Sequence, residues 1–270
     1  MSQSGPDKKL SREEAGELLH AKHALAPNSL GYCGPDENSR ILEHLHESLV
    51  DESLDSTLKR FEAAYPFVRM IAKSTGRSAF DYDVAEAYWI GNELLGRVDP
   101  SEFYTFANAG LRMRLPKQDS RRLFRELGPI AKPHHTFYVL GMYSRPNTNS
   151  SLQHKLLGLM DSCRISWGKV VEVKEKELVV ERPPLKFNGG EMLKLAPRER
   201  KQVRYDSAIP NFQNVKAGDW VTIHWNFASE KLTPRQLRNI KAYTKMDIEA
   251  TNLFVKMLKQ ADRLDGQPRH

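Results

Sequence analysis

Thiols and imidazoles are the side chains whose types and spacing could do chemistry in this sequence. The chain has 270 residues, with two cysteines, Cys33 and Cys163, and nine histidines. Cys163 opens the stretch "CRISWGKVVEV", flanked by Asp161, Ser162 and Arg164 and followed by Val170, Val171 and Val173. The β-branched run predicts a strand, which puts the thiol at the strand's mouth. A cysteine used for packing sits inside an apolar run; this one is bracketed by polar residues. It is therefore either a small half-buried filler or a thiol with chemistry to do. Cys33 lies in "ALAPNSLGYCGPDENS" (24–39), where Pro27, Gly31, Gly34 and Pro35 predict a fixed loop between helices. Such a loop exposes backbone amides and a thiol together, which suits metal or ligand capture; the plainer alternative is a tight turn with a packed cysteine. In "KPHHTFYVLG", His134 and His135 are vicinal. On an extended segment they face opposite ways, so at most one serves any given site. Either would make a metal site with Cys33 if the fold brings them together, and otherwise they are surface or capping residues. His20 and His23 share a helical face, where packing is the better expectation, and the His44/His46 spacing fits a helical metal pair poorly. No phosphate loop, Gly-x-Ser-x-Gly elbow, HExxH or paired CxxC is present, which argues against a familiar enzyme class.

The elements that must position these groups change period once. From Ser11 to about Arg145 the pattern is helical. Ser11 precedes Glu13 and Glu14 as an N-cap. Ile41, Leu42, Leu45 and Leu49 share a face, and "LDSTLKRFEAAYPFVRMIAKSTG" runs to a Gly stop with Pro66 dividing or kinking it. "RPNTNSS" is turn-rich and places a junction near residues 146–152. After a short apolar stretch, "LQHKLLGLMDSC", strands take over. "WGKVVEVKEKELVVERPPL" reads as two strands about a charged turn, "EMLKLAPRERKQVRYD" as two more, and "VKAGDWVTIHWNFASEKL" as a Gly-Asp turn into a strong strand. Thr233 and Pro234 then start a long amphipathic helix. The fold class expected is α+β, a helical domain over 10–148 followed by a small OB-like β-barrel with a C-terminal helix over 156–265.

With 40% hydrophobic and 28% charged residues, this is the composition of a globular chain with no apolar run long enough for a membrane span. The amino-terminal segment lacks the apolar core of a secretory signal, so the expectation is a cytoplasmic protein with both thiols reduced. The net charge of +7 is concentrated in "RMRLPKQDSRRLFR" (112–125) and "RERKQVR" (198–204). Those patches would suit nucleic acid, an acidic protein partner or plain solvation. The aromatics are not interleaved with them as a base-stacking platform requires, which argues against nucleic acid.

Residues 163–250 resemble the HypC/HupF family of small chaperones that help assemble the iron centre of nickel–iron hydrogenases. The likeness rests on Cys163, then three residues, Trp167-Gly168 and "KVVEV", and later on Gly218-Asp219-Trp220-Val221, His224, Asn226-Phe227-Ala228 and a helix. In that family a cysteine and a strand histidine are associated with carrying iron that bears cyanide and carbonyl ligands. The resemblance assigns those roles to Cys163 and His224, with iron as cargo and the hydrogenase large subunit or other maturation proteins as partners. It implies that the two side chains open to one cleft. The family's cysteine becomes the first residue of its mature chain and is followed by a Pro-Gly pair; here Cys163 is internal and Trp167 replaces the proline. The helical half is similar to an uncharacterised bacterial family with an "LGYCGP" loop, which implies no activity. Two other expectations stand beside the carrier: an OB-type nucleic-acid-binding protein, and a Cys/His metalloenzyme centred on Cys33 with His134 or His135.

Overall fold

The computed structural model describes residues 10–110, 126–144, 150–190 and 192–265; the basic stretch 112–125 lies outside them. Helix α1 (Arg12–Ser29) starts at Ser11, whose hydroxyl accepts from Glu14 N–H while the Glu14 carboxylate accepts from Ser11 N–H, a reciprocal cap. α2 (Asn38–Glu47), α3 (Glu52–Lys59) and α4 (Tyr65–Thr75) follow. Pro66 falls in the first turn of α4 and so divides the expected long helix instead of kinking it. Gly76 ends α4 in the left-handed region at φ 65°. α5 (Tyr82–Trp89), α6 (Pro100–Gly110) and α7 (His135–Tyr143) complete the helical part.

Next comes α8 (Ser150–Cys163). This corrects the sequence expectation: Cys163 is the last residue of a helix, not the entry of a strand. The short stretch before it supplies enough helix-forming Leu, Lys and Met to build nearly four turns.

The strands are β1 (Ser166–Val173), β2 (Glu177–Arg182), β3 (Leu185–Phe187), β4 (Leu193–Leu195), β5 (Glu199–Arg204), β6 (Trp220–His224) and β7 (Phe227–Lys231). Five of them close a barrel in the order β1-β2-β5-β7-β6, with β1 pairing back onto β6. All neighbours are antiparallel except β5 and β7. With the β3–β4 ribbon set aside as an excursion, this is the 1-2-3-5-4 order of an OB-like barrel. The α+β class and the OB-like barrel are therefore what the sequence pattern predicts. Gly168 lies where the barrel is tightest: a Cβ there would come within 2.9 Å of Val180 and 3.0 Å of Ile223.

The final helix α9 (Pro234–Asp265) begins at Thr233, whose hydroxyl accepts from Gln236 N–H. α9 runs back along the helical half and packs on α7. α1 lies across β6 and β7, where Lys22 and Glu230 form an ion pair at 2.5 Å. As a result one continuous apolar cluster includes Leu18, Ile41 and Tyr88 from the helices together with Val170, Val180 and Ile223 from the barrel. The described residues of the helical half and of the barrel half bury this core jointly.

Candidate metal centre

Three donors from three elements meet at the seam of helices and barrel. His135 comes from the first turn of α7, Cys163 from the last residue of α8, and His224 from the last residue of β6. Their ligand atoms all lie within 4.8 Å of one another. A metal bound to N and S at about 2.0–2.3 Å sets ligand separations of about 3.5 Å, so the donors need to draw in by at most about 1.3 Å. A soft thiolate with two imidazoles suits zinc, iron(II), copper or nickel.

His224 is held as a ligand should be. Its Nδ1–H donates to the His23 carbonyl at 2.6 Å, which leaves the lone pair on Nε2. That Nε2 is buried and has no hydrogen-bonding partner. His23 is fixed in turn, with Nδ1 on the Leu19 carbonyl at 2.9 Å and Nε2 3.2 Å from the Thr222 hydroxyl. His135 has both ring nitrogens satisfied in one tautomer. With the proton on Nε2 it donates to the Cys163 carbonyl at 3.0 Å, while Nδ1 accepts from Tyr88 O–H at 3.1 Å. With the proton on Nδ1 it donates to the Tyr88 oxygen, and Tyr88 O–H turns to the Ala63 carbonyl at 3.2 Å. The second arrangement sets the Nε2 lone pair against the Cys163 carbonyl oxygen at 3.0 Å, so metal capture at Nε2 requires that contact to open. Trp89 packs against His135 at 4.6 Å and His224 at 5.9 Å between ring centroids, so both rings sit on an apolar wall.

The electrostatics keep every donor neutral. Burial pushes the Cys163 thiol up to about 12, with only the Trp225 indole favouring its ionised form. Burial lowers His224 to about 3 and His135 well below the usual imidazole value. A thiol in this state is a poor nucleophile near pH 7, and a bound cation is what would make it a thiolate. The surroundings thus favour metal capture over a cysteine-nucleophile enzyme.

Expected site residues separate clearly. Cys163 and His224 are brought together, 61 positions apart, and His135 joins them. The two imidazoles are buried, with His224 1% and His135 7% exposed, whereas Cys163 is partly exposed. His134, the neighbour of His135, points elsewhere and pairs with Asp247 of α9 at 2.6 Å, where both are buried. Cys33 is not part of the three-donor group, nor is His134. Both cysteines are free thiols. His20 packs as expected, accepting from the Trp89 indole N–H at 3.1 Å.

Sequence reasoning missed Tyr88, His23 and Trp225. Trp225 carried a usable signal: Trp-Asn between two strand patterns marks a two-residue hairpin that needs positive φ. Trp225 and Asn226 adopt φ 48° and 60°. A bulky aromatic in that region is strained and marks a position held for a reason. Its backbone N–H donates to the Ser162 carbonyl at 2.8 Å, which fastens the hairpin beside Cys163.

Among known proteins, a family model described as "Family of unknown function (DUF6390)" matches residues 12–257. No curated protein and no solved structure matches the chain significantly.

Proposed function

We propose that this chain, which belongs to the DUF6390 family of unknown function, is a cytoplasmic metal-carrying accessory protein for nickel–iron hydrogenase assembly. Its cargo is iron, carried with cyanide and carbonyl ligands and presented to the large subunit or to another maturation protein. The observation that carries this reading is the meeting of Cys163 and His224 at one rim of an OB-like barrel, with the His224 lone pair unpartnered. Those are the two positions to which the HypC/HupF resemblance assigns iron, and 60 residues of intervening chain give no local reason for them to touch. The donor chemistry agrees, since a thiolate and imidazoles suit low-spin iron. His135 adds a third donor from the helical half, so the helices take part in holding the cargo. The two buried imidazoles shield one side of the cargo, and the partly exposed Cys163 marks the side from which it is handed on.

The test is iron content and infrared spectroscopy of protein purified without oxygen from cells making a nickel–iron hydrogenase. The expected result is close to one iron per chain with bands in the cyanide and carbonyl region, both lost in Cys163→Ser. Iron without those bands would leave a plain metal-binding protein. No iron, and no uptake of added iron(II), would overturn the reading.

A further inference from the structure

Beside the three-donor centre, the last turn of α8 carries a second buried cluster that metal binding does not use. Asp161 accepts from Arg164 Nε and Nη2, from Arg182 Nη2 and from Leu185 N–H. Arg164 Nη2 also donates to the Pro183 carbonyl at 2.7 Å. These contacts complete the carboxylate but not the guanidiniums. Arg164 Nη1 and Arg182 Nε are buried with no hydrogen-bonding partner, in residues only 0% and 1% exposed. Each is a charged donor held out of water with nothing to donate to. We propose that Arg164, Arg182 and Lys201 form a binding site for a free oxyanion of phosphate size at the end of the barrel. The site goes beyond the metal-carrying reading and stands without it.

The barrel places the three cations together. β2 alternates, with Leu178, Val180 and Arg182 buried on its inward face. Arg182 lies opposite Glu199 of β5, which makes Lys201 its diagonal neighbour on that face, about 7–8 Å away. Arg164, the residue after α8, grips the same carboxylate as Arg182 and so closes the group from the helix side. Against these three cations the cluster holds one carboxylate, Asp161; Glu199 is exposed, where water screens it. Lys201 is half-buried and forms no ion pair among the described residues. Burial, and after it the charge of Arg182, lower its ammonium, as an unneutralised group of cations would. An excess of buried positive charge is costly, and an anion that accepts from these groups removes much of that cost. Guanidinium and ammonium groups together are donors suited to oxyanions, through short charge-assisted hydrogen bonds. The Asp161 side chain is 18% exposed and Lys201 is half-buried, so the cluster reaches solvent and a small ion can enter.

Inorganic phosphate is the probe, titrated into the full-length chain at an ionic strength held constant with sodium chloride. Calorimetry should show one phosphate bound per chain, and saturating phosphate should raise the melting temperature by roughly 2–4 °C. Lys201→Gln should weaken that binding roughly 10–100-fold, whereas Lys201→Arg keeps the charge and should keep the binding. Arg204→Gln removes an exposed cation from the outward face of the same strand and should change nothing. Circular dichroism checks that each variant folds. Phosphate that does no more than chloride at equal ionic strength would overturn the inference. So would wild-type affinity in a folded Lys201→Gln, or a loss of binding in Arg204→Gln, which would place the anion on the outer surface. None of these outcomes bears on the three-donor centre.

Discussion

The end of α8 builds two buried clusters from adjacent residues, and they are opposites. Asp161, Arg164 and Arg182 form a charged cluster. The Asp161 carboxylate accepts from Arg164 Nε at 3.1 Å and Nη2 at 3.0 Å, from Leu185 N–H at 2.9 Å, and from Arg182 Nη2. Two residues after Asp161, Cys163 starts the neutral cluster with His135 and His224, in which the His224 Nε2 lone pair is buried with no hydrogen-bonding partner. A buried charge with its partners in place is a structural fixture, since removing either side exposes the other. A buried soft donor without a partner gains nothing for the fold and is ready for a ligand. The comparison teaches that burial alone does not separate structure from function; satisfaction of the buried groups does.

Acid should break the comparison with the largest effect. His20, His23 and His224 are held near pKa 3, 4 and 3 and His135 well below 6.5, all by burial, so the folded state keeps them neutral. The unfolded chain takes up protons below about pH 6.5 and the folded chain does not, so stability is full above that pH and falls below it. The loss is about 1.4 kcal/mol per pH unit for each histidine that titrates. Denaturant melts between pH 7 and 4 should show unfolding coupled to a net uptake of about three protons near pH 5, about four taken up by the histidines less about one released by Glu17. The charged cluster survives the same window. Burial would raise Asp161, but Arg164 and Arg182 overcome it and hold the carboxyl below its usual 3.8, so that contribution is lost only in stronger acid.

Asp161→Asn should come next, at about 3–5 kcal/mol of lost stability in urea unfolding, because it leaves two buried guanidiniums facing one another. Cys163→Ser should do the reverse: about 1 kcal/mol or less in stability, but loss of metal loading in an iron(II) titration. Tyr88→Phe should be subtler still, weakening metal binding roughly 10-fold by removing the hydroxyl that sets the His135 tautomer. At the small end, Glu17→Gln touches neither cluster. Burial raises that carboxyl to about 7, so ionising it costs stability as pH rises from about 4.5 through 7. The variant should gain about 1 kcal/mol at pH 8, roughly 2–4 °C in melting temperature, and nothing at pH 4. Equal gains at both pH values would assign the effect to packing.

Much of the scaffold was legible along the chain because it is written in local rules. The Ser11–Glu14 cap, the division at Pro66, the Gly76 stop, the Thr233 start and the alternating valines of β1 each depend on a few consecutive residues. The Leu185–Phe187 strand was not foreseen, because its three residues follow Pro183 and Pro184 and pair only with an excursion. Similarly, the helix ending at Cys163 lacked a recognisable cap and lost to the strand signal behind it.

For the site, the sequence by itself determined which residues have the right chemistry: Cys33, His134, His135, Cys163 and, by resemblance, His224. Only the tertiary structure decided which of them meet. His134 and His135 are indistinguishable by type and one residue apart, yet α9 supplies Asp247 to the first while α8 and β6 supply a thiol and an imidazole to the second. The reason is one of range. A cap or a strand pattern is fixed by neighbours a few residues away, whereas a metal shell is fixed by where three separate backbones end. Those ends are set by the closure of the barrel and by the core that the helices share with it.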